Sequence, residues 1–233
     1  MFPALILAGG KATRLFPLTQ NIPKSMISFI GKPFIGWQLE LLADAGFEEV
    51  LLCLGEKAAD IEKYVGNGSR FGLRVQYSFD GNTPLGTAGA IVKALPLLSD
   101  DFALMYGDSY LPINFKQVEK FYRANNATAL MTVYRNGNLF DKSNVSFKDN
   151  KIVSYSKSNP TKDMEYIDYG LAIINKAKFS KIGPNQAADL SDLFEDLVKS
   201  QELHGYEIKT RFFEIGSFSG IKDFEHYLQG GAK

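Results

Sequence analysis

Apolar residues in the first part of the chain follow two alternating patterns. Short, nearly continuous apolar runs stand at 4–8 (ALILA), 49–54 (EVLLCL), 73–78 (LRVQYS), 102–107 (FALMYG) and 127–134 (ATALMTVY). Their length and their glycine or polar boundaries predict buried strands. Between them lie segments of helical period at 33–46, 58–66, 86–98 and 115–125. The first opens on proline and closes on glycine, and the last sets Phe115, Val118, Phe121 and Tyr122 on one stripe. This alternation predicts a parallel sheet covered on both faces. Ligands of such sheets bind beyond the carboxyl ends of the strands, so the loops after residues 8, 78 and 107 are the ones to search.

The rhythm changes in the second half. Residues 143–158 read as a hairpin turning at Asp149-Asn150, and 166–175 as a further strand. Leu190, Leu193, Phe194, Leu197 and Val198 fall at helical spacing. Two short strands are predicted within 206–216 and a closing helix at 220–229. No linker, repeat or low-complexity tract interrupts the chain, which reads as one α/β domain over 1–233 with a mostly parallel sheet flanked by helices.

Composition narrows the function. The 233 residues suffice for one sizeable core. Lys+Arg and Asp+Glu balance at 26 each, so no broad attraction to nucleic acid or to an anionic membrane is expected, although a local cationic pocket stays open. The single cysteine, Cys53, has no partner for an intramolecular disulfide and reads as core. The start "MFPALILAGG" lacks the basic region of a signal peptide, and no apolar stretch reaches bilayer length, so a reducing, cytoplasmic setting is expected. His204 and His226 stand apart, and no Cys/His spacing fits zinc. No G-x-S-x-G nucleophile context occurs.

Candidate chemistry concentrates at 5–26, LILAGGKATRLFPLTQNIPKSM. Gly9 and Gly10 end the first strand, where bare backbone N–H groups can cradle an anion. Arg14 offers a planar fork suited to phosphate oxygens and Lys24 a point charge, which together describe a polyphosphate site. The glycines alone serve equally well as a tight turn. Neither the G-x-x-x-x-G-K-[ST] loop nor the G-x-G-x-x-G fingerprint is present.

This stretch resembles the signature of the sugar-1-phosphate nucleotidyltransferases, roughly L-A-G-G-x-G-T-R-L-x-P-L-T followed by P-K. Ala12 departs from it, standing where glycine is usual. The resemblance extends over nearly the whole chain and implies a Rossmann-like, mixed α/β nucleotide-diphospho-sugar transferase fold. In it 1–135 form the nucleotide-binding half, and 136–233 the sugar-binding half with a closing helix. It implies nucleotide contacts from Leu7, Ala8, Gly9, Gly10 and Thr13 and from Pro84, Gly86 and Thr87 of the P-L-G-T-A-G run. On its own that run also fits a plain helix start. Asp108 of the G-D motif is implied as a Mg²⁺ ligand, with helix capping as its other reading. Glu214 stands where the family usually has a second metal-binding aspartate. Lys157, Asp168 and Gly170 match the sugar-binding positions, while Ser156 replaces a frequent glutamate and Lys157 also fits a solvated hairpin charge.

The implied reaction joins a nucleoside triphosphate to a sugar 1-phosphate and releases pyrophosphate. The attacking phosphate oxygen is already anionic, so neither a general base nor a covalent nucleophile is required, and positioning with charge stabilisation suffices. Arg14 and Lys24 are the expected catalytic cations. A guanylyltransferase acting on a mannose- or heptose-type 1-phosphate is the first expectation, and uridylyl or other transfer to glucose or amino-sugar 1-phosphates the alternative. Two other classes compete: a non-catalytic nucleotide-sugar sensor, against which Arg14, Lys24 and Asp108 weigh, and a dinucleotide oxidoreductase, whose fingerprint is missing. Oligomeric state is not legible. The chain ends without the β-helix or acyltransferase extension some relatives carry, so no second activity is expected.

Overall fold

The computed structural model describes residues 1–10, 13–81 and 83–230. In chain order its strands and α-helices are β1 (Ala4–Leu7), β2 (Ser28–Phe29), β3 (Lys32–Pro33), α1 (Phe34–Ala45), β4 (Glu49–Leu54), α2 (Ala58–Val65), β5 (Arg74–Phe79), α3 (Gly86–Ala94), β6 (Asp101–Tyr106), β7 (Ser109–Tyr110), α4 (Phe115–Ala124), β8 (Ala129–Arg135), β9 (Val145–Lys148), β10 (Lys151–Tyr155), β11 (Tyr166–Asn175), α5 (Leu190–Lys199), β12 (His204–Ile208), β13 (Phe213–Glu214) and α6 (Phe218–Leu228).

The described residues build one large sheet ordered β5-β4-β1-β6-β11-β8-β12-β10-β9. From β5 to β6 every neighbour is parallel, as the alternating pattern predicts. Beyond β6 the sheet is mixed, as the resemblance implies, but parallel pairings do not predominate over the whole of it. β11 runs antiparallel to both β6 and β8, β12 joins β8 in parallel, and β10 and β9 close the edge antiparallel. The cause lies in the connections. A parallel return needs a crossover of a dozen residues or more, usually helical. The segment between β8 and β11 instead holds the β9–β10 hairpin, so β11 comes back antiparallel beside β8. The hairpin turns at Asp149 (φ 49°) and Asn150 (φ 59°), both left-handed as a two-residue primed turn demands.

Side chains alternate across β1: Ala4 and Ile6 enter the core beneath α1, α2 and α4, while Leu5 enters the one beneath α3 and α5. A third, smaller core matters most for function. Phe224 of α6 is fully buried among Phe29, Phe34 and Tyr110, with ring centroids 5.0, 5.1 and 5.0 Å away. Truncating such a ring typically costs about 3–5 kcal/mol, so this contact fixes α6 on the body. It also fixes the short β7–β13 pair, whose register sets Glu214 opposite Ser109. Leu15, fully buried in the same cluster with Phe213 and Ile215, ties the first loop to that pair.

Candidate active site

A cavity of about 940 Å³ opens beyond the carboxyl ends of β1, β4, β5 and β6, within the size range of small-molecule sites. Leu7, Ala8, Gly9, Gly10 and Thr13 line it. Ala8 extends the β1 ladder by donating its N–H to Cys53 O at 2.9 Å. Gly9 then passes against the loop after β4: a Cβ on Gly9 would stand 3.0 Å from Gly55 N, and one on Gly55 would stand 2.7 Å from Gly9 O. The two backbones can approach so closely only because both side chains are absent. Gly10 is exposed and a Cβ there would meet nothing within 4 Å, so its backbone faces open space. Ala12 lies outside the described residues.

Two cations and two carboxylates meet on one wall of this cavity. Lys24 Nζ donates to Asp108 Oδ2 at 2.5 Å, with the two side chains only 17% and 27% exposed. Around Gly216, a Cβ would stand 2.7 Å from Glu214 Oε2, 3.1 Å from an Arg14 guanidinium nitrogen and 3.3 Å from Asp108 Oδ2. Arg14, Lys24, Asp108 and Glu214 are contributed by three separate stretches of chain and share one hollow. Glu214 is also engaged locally: its carboxylate accepts from the Gly216 N–H and, at 2.5 Å, from the Ser217 hydroxyl. Asp108 is not a helix cap, since it follows β6 directly and its carbonyl accepts from Ile215 N–H at 2.9 Å.

The second motif packs against α5. Pro84, Gly86 and Thr87 line the cavity. Gly86 has φ +70°, and a Cβ there would collide with Ala188 O at 2.5 Å, so both backbone angle and space demand glycine. Thr87 Oγ1 accepts from Leu190 N–H at 2.7 Å and donates to Asp189 Oδ1 at 3.2 Å. Its hydroxyl is thus partnered across the two halves of the chain. Asp189 caps α5; burial opposes its charge, but the Ser191 N–H and hydroxyl, the Lys157 charge and Thr87 prevail and lower its pKa.

At the far end of the cavity lie Lys157 and Asp168. Asp168 Oδ2 accepts from the Tyr106 hydroxyl at 2.8 Å and Oδ1 from Gly170 N–H at 3.0 Å. Gly170 itself is not in the cavity wall. It sits at φ +99° behind Asp168, where the β11–β8 register shifts, against Ser109 and Tyr106. Burial raises the Asp168 pKa and outweighs the lowering by these donors and by Lys157. A carboxyl whose pKa is raised on folding destabilises the folded state when ionised, and that penalty fades as pH falls through the folded value. Asp168→Asn is therefore expected to melt above the wild type at pH 7, with the gap closing toward pH 4. Thermal denaturation across that range checks it; a gap that widens on acidification contradicts it.

Residues 3–228 match the family model for nucleotidyl transferases. The chain belongs to that nucleotidyl transferase family. It is 32% identical to a UTP–glucose-1-phosphate uridylyltransferase of Synechocystis sp., covering 97% of this chain and 62% of that protein. It is 28% identical to the mannose-1-phosphate guanylyltransferase catalytic subunit beta of Drosophila melanogaster, covering 95% and 60%. The chain thus spans about three fifths of the length of these relatives. Its fold superposes on HddC from Yersinia pseudotuberculosis, solved in complex with GMP-PN, with a TM-score of 0.82 at 23% identity over 98% of this chain and 100% of that one.

Several cavity residues of this family member escape sequence reading. Lys57, at the start of α2, donates to Thr19 O at 2.8 Å and Gln20 O at 2.7 Å, tying down the loop beyond Arg14. Its positive φ of 65° leaves no trace in the sequence. Asn144 accepts the Asp168 N–H at 3.0 Å and Tyr106 orients the Asp168 carboxylate, yet both look like ordinary strand-end residues. Cys53 borders the cavity floor, but burial, helped by the Asp80 charge, pushes its thiol up to about 12. It is neutral at physiological pH and unsuited to nucleophilic work. No helix among the described residues is long and apolar enough to cross a membrane.

Proposed function

We propose that the chain catalyses attack of a sugar 1-phosphate oxygen on the α-phosphorus of a nucleoside triphosphate. The new P–O bond yields the nucleotide sugar as the α–β bridge breaks and pyrophosphate departs. The observation that carries this is the convergence of Arg14, Lys24, Asp108 and Glu214 on one cavity wall beside the open backbone of Gly10. In this reading the Rossmann-like half, 1–135, holds the nucleotide through Leu7, Ala8, Gly9, Gly10 and Thr13 and against Pro84, Gly86 and Thr87. Residues 136–233 supply the sugar end through Lys157 and Asp168, with Gly170 shaping the bend behind Asp168.

Arg14 faces the departing pyrophosphate and Lys24 the charge growing at the α-phosphate. Two facing carboxylates are a hard-oxygen pair of the kind Mg²⁺ takes together with phosphate oxygens and waters. The remaining positions around such an ion would be filled by waters, with phosphate oxygens replacing some of them when substrate binds. Asp108 and Glu214 would hold Mg²⁺, which when bound neutralises phosphate charge. Lys24, paired with Asp108, stands on the same wall, where its ammonium would meet the phosphates.

The preferred substrates in this proposal are GTP and a mannose- or heptose-type 1-phosphate, in line with the guanylyltransferase relative. A second reading, UTP with a glucose-type 1-phosphate, is favoured by the more identical Synechocystis relative. Pyrophosphate release measured for each nucleoside triphosphate against a panel of sugar 1-phosphates decides between them. Turnover is expected with one base and one sugar class well above the rest. No turnover with any pair leaves the non-catalytic sensor and sinks the enzyme reading.

A further inference from the structure

Gln38 is fully buried in the middle of α1, on the face that otherwise carries Phe34, Ile35, Leu39 and Leu42. A primary amide in an apolar stripe is costly unless its polar atoms find partners. Its Nε2 uses both hydrogens on backbone carbonyls, donating to Tyr106 O at 3.0 Å and to Ser109 O at 2.8 Å. Those two carbonyls bracket Gly107 and Asp108. The same short turn is held on its other sides by Gly107 N–H to Leu7 O and Ile215 N–H to Asp108 O, both 2.9 Å. Among the described residues Oε1 finds no partner, so the amide is oriented by this turn. A residue serving only to pack α1 would be better apolar, because it would leave no orphaned acceptor.

We propose that Gln38 is the positioning residue for Asp108. It clamps the chain on both sides of the aspartate so that the carboxylate stays aimed at the Arg14–Glu214 hollow. The amide does not touch substrate; it acts through the two residues flanking the carboxylate's turn. This inference rests on the reading of Asp108 as a ligand of a divalent cation. Groups that orient a metal ligand typically change metal affinity by about 10- to 100-fold when removed.

The test is a titration with Mn²⁺ alone, followed by electron paramagnetic resonance of the free ion, on wild type, Gln38→Met and Tyr122→Phe. Gln38→Met keeps size but has no donor. Tyr122→Phe loses the hydroxyl's bond to Asp101, 2.8 Å long and at the opposite end of β6, and is the control for destabilisation without effect on the site. Gln38→Met is expected to weaken Mn²⁺ binding about tenfold and to raise the Mg²⁺ concentration for half-maximal turnover similarly, while Tyr122→Phe binds Mn²⁺ like wild type. Should Gln38→Met not accumulate as folded protein, Gln38→Asn, whose amide falls one methylene short of the carbonyls, is read in the same way. A folded Gln38 variant that binds Mn²⁺ as wild type does overturns this inference alone. A wild type that binds no Mn²⁺ overturns the reading of Asp108 and this inference with it.

Discussion

Arg14→Ala is expected to lower kcat by about two orders of magnitude, roughly 3 kcal/mol of transition-state stabilisation, by analogy with the loss of a preorganised oxyanion donor. The argument is one of placement. Leu15 is fully buried beside Phe213 and Ile215, which holds the neighbouring guanidinium out over Gly216 with Asp108 and Glu214. The side chain is itself exposed, so its removal is expected to change stability by no more than about 0.5 kcal/mol. Loss of activity without loss of fold is therefore the signature, and steady-state kinetics beside a melting curve read both. Arg14→Lys is expected to recover only part of the rate, since an ammonium is a point charge and cannot span two phosphate oxygens as a planar fork does. A near-normal kcat in Arg14→Ala would contradict the assignment of this cation to the departing pyrophosphate.

The placement of Arg14 shows what a sequence carries and what it does not. β4 and β6 occur where their apolar runs lie, because a strand buried on both faces writes itself as a nearly uninterrupted apolar word. The Asp149-Asn150 turn was legible because both residue types tolerate positive φ. The two-residue strands β2, β3 and β7 are too short to show any period, yet β7 pairs with β13, the second short strand expected within 206–216, and so brings Glu214 beside Asp108. Which strands pair antiparallel was also hidden. Nothing local in 166–175 says that this strand lies between β6 and β8, since pairing partners distant in sequence leave no periodic mark. Closing helix α6 begins at Phe218 rather than 220 because Ser217 caps it, accepting from Gly220 N–H at 3.0 Å.

The candidate site divides along the same line. Arg14 and Lys24 stood out as two cations downstream of a double glycine that ends a strand, and Asp108 as a carboxylate beside Gly107 at the end of another. Gln38 did not, although a polar residue at i+3 from Ile35 on an apolar helical face was a visible anomaly. Asp168 was read as a sugar contact, but the Tyr106 and Asn144 side chains that orient it come from distant segments and carry no signal of their own. Thr87, expected to face a ligand, spends its hydroxyl on the start of α5, a contact between residues about a hundred positions apart.

Asp108→Asn is expected to reduce kcat by about 100-fold or more while leaving the fold intact, and its comparison with Glu214→Gln separates ligation from scaffolding. The substitution keeps size and removes one negative charge from a hollow that holds two. A transition-state charge partner is typically worth about 10²–10³ in rate. The ion pair it breaks joins side chains 17% and 27% exposed, so Lys24 still reaches water and the stability change stays within about 1 kcal/mol. Glu214 differs. Its carboxylate accepts from the Gly216 N–H and the Ser217 hydroxyl at the start of α6, so Glu214→Gln withdraws a charged acceptor from a helix N-terminus as well as from the hollow. It is expected to lower both rate and melting temperature, the latter by the equivalent of about 1–3 kcal/mol. Kinetics, Mn²⁺ titration and melting on the two variants together are decisive. If Asp108→Asn retains wild-type Mn²⁺ affinity and rate, the carboxylate serves only as the counter-ion of Lys24, and the cation site must be sought elsewhere in the cavity.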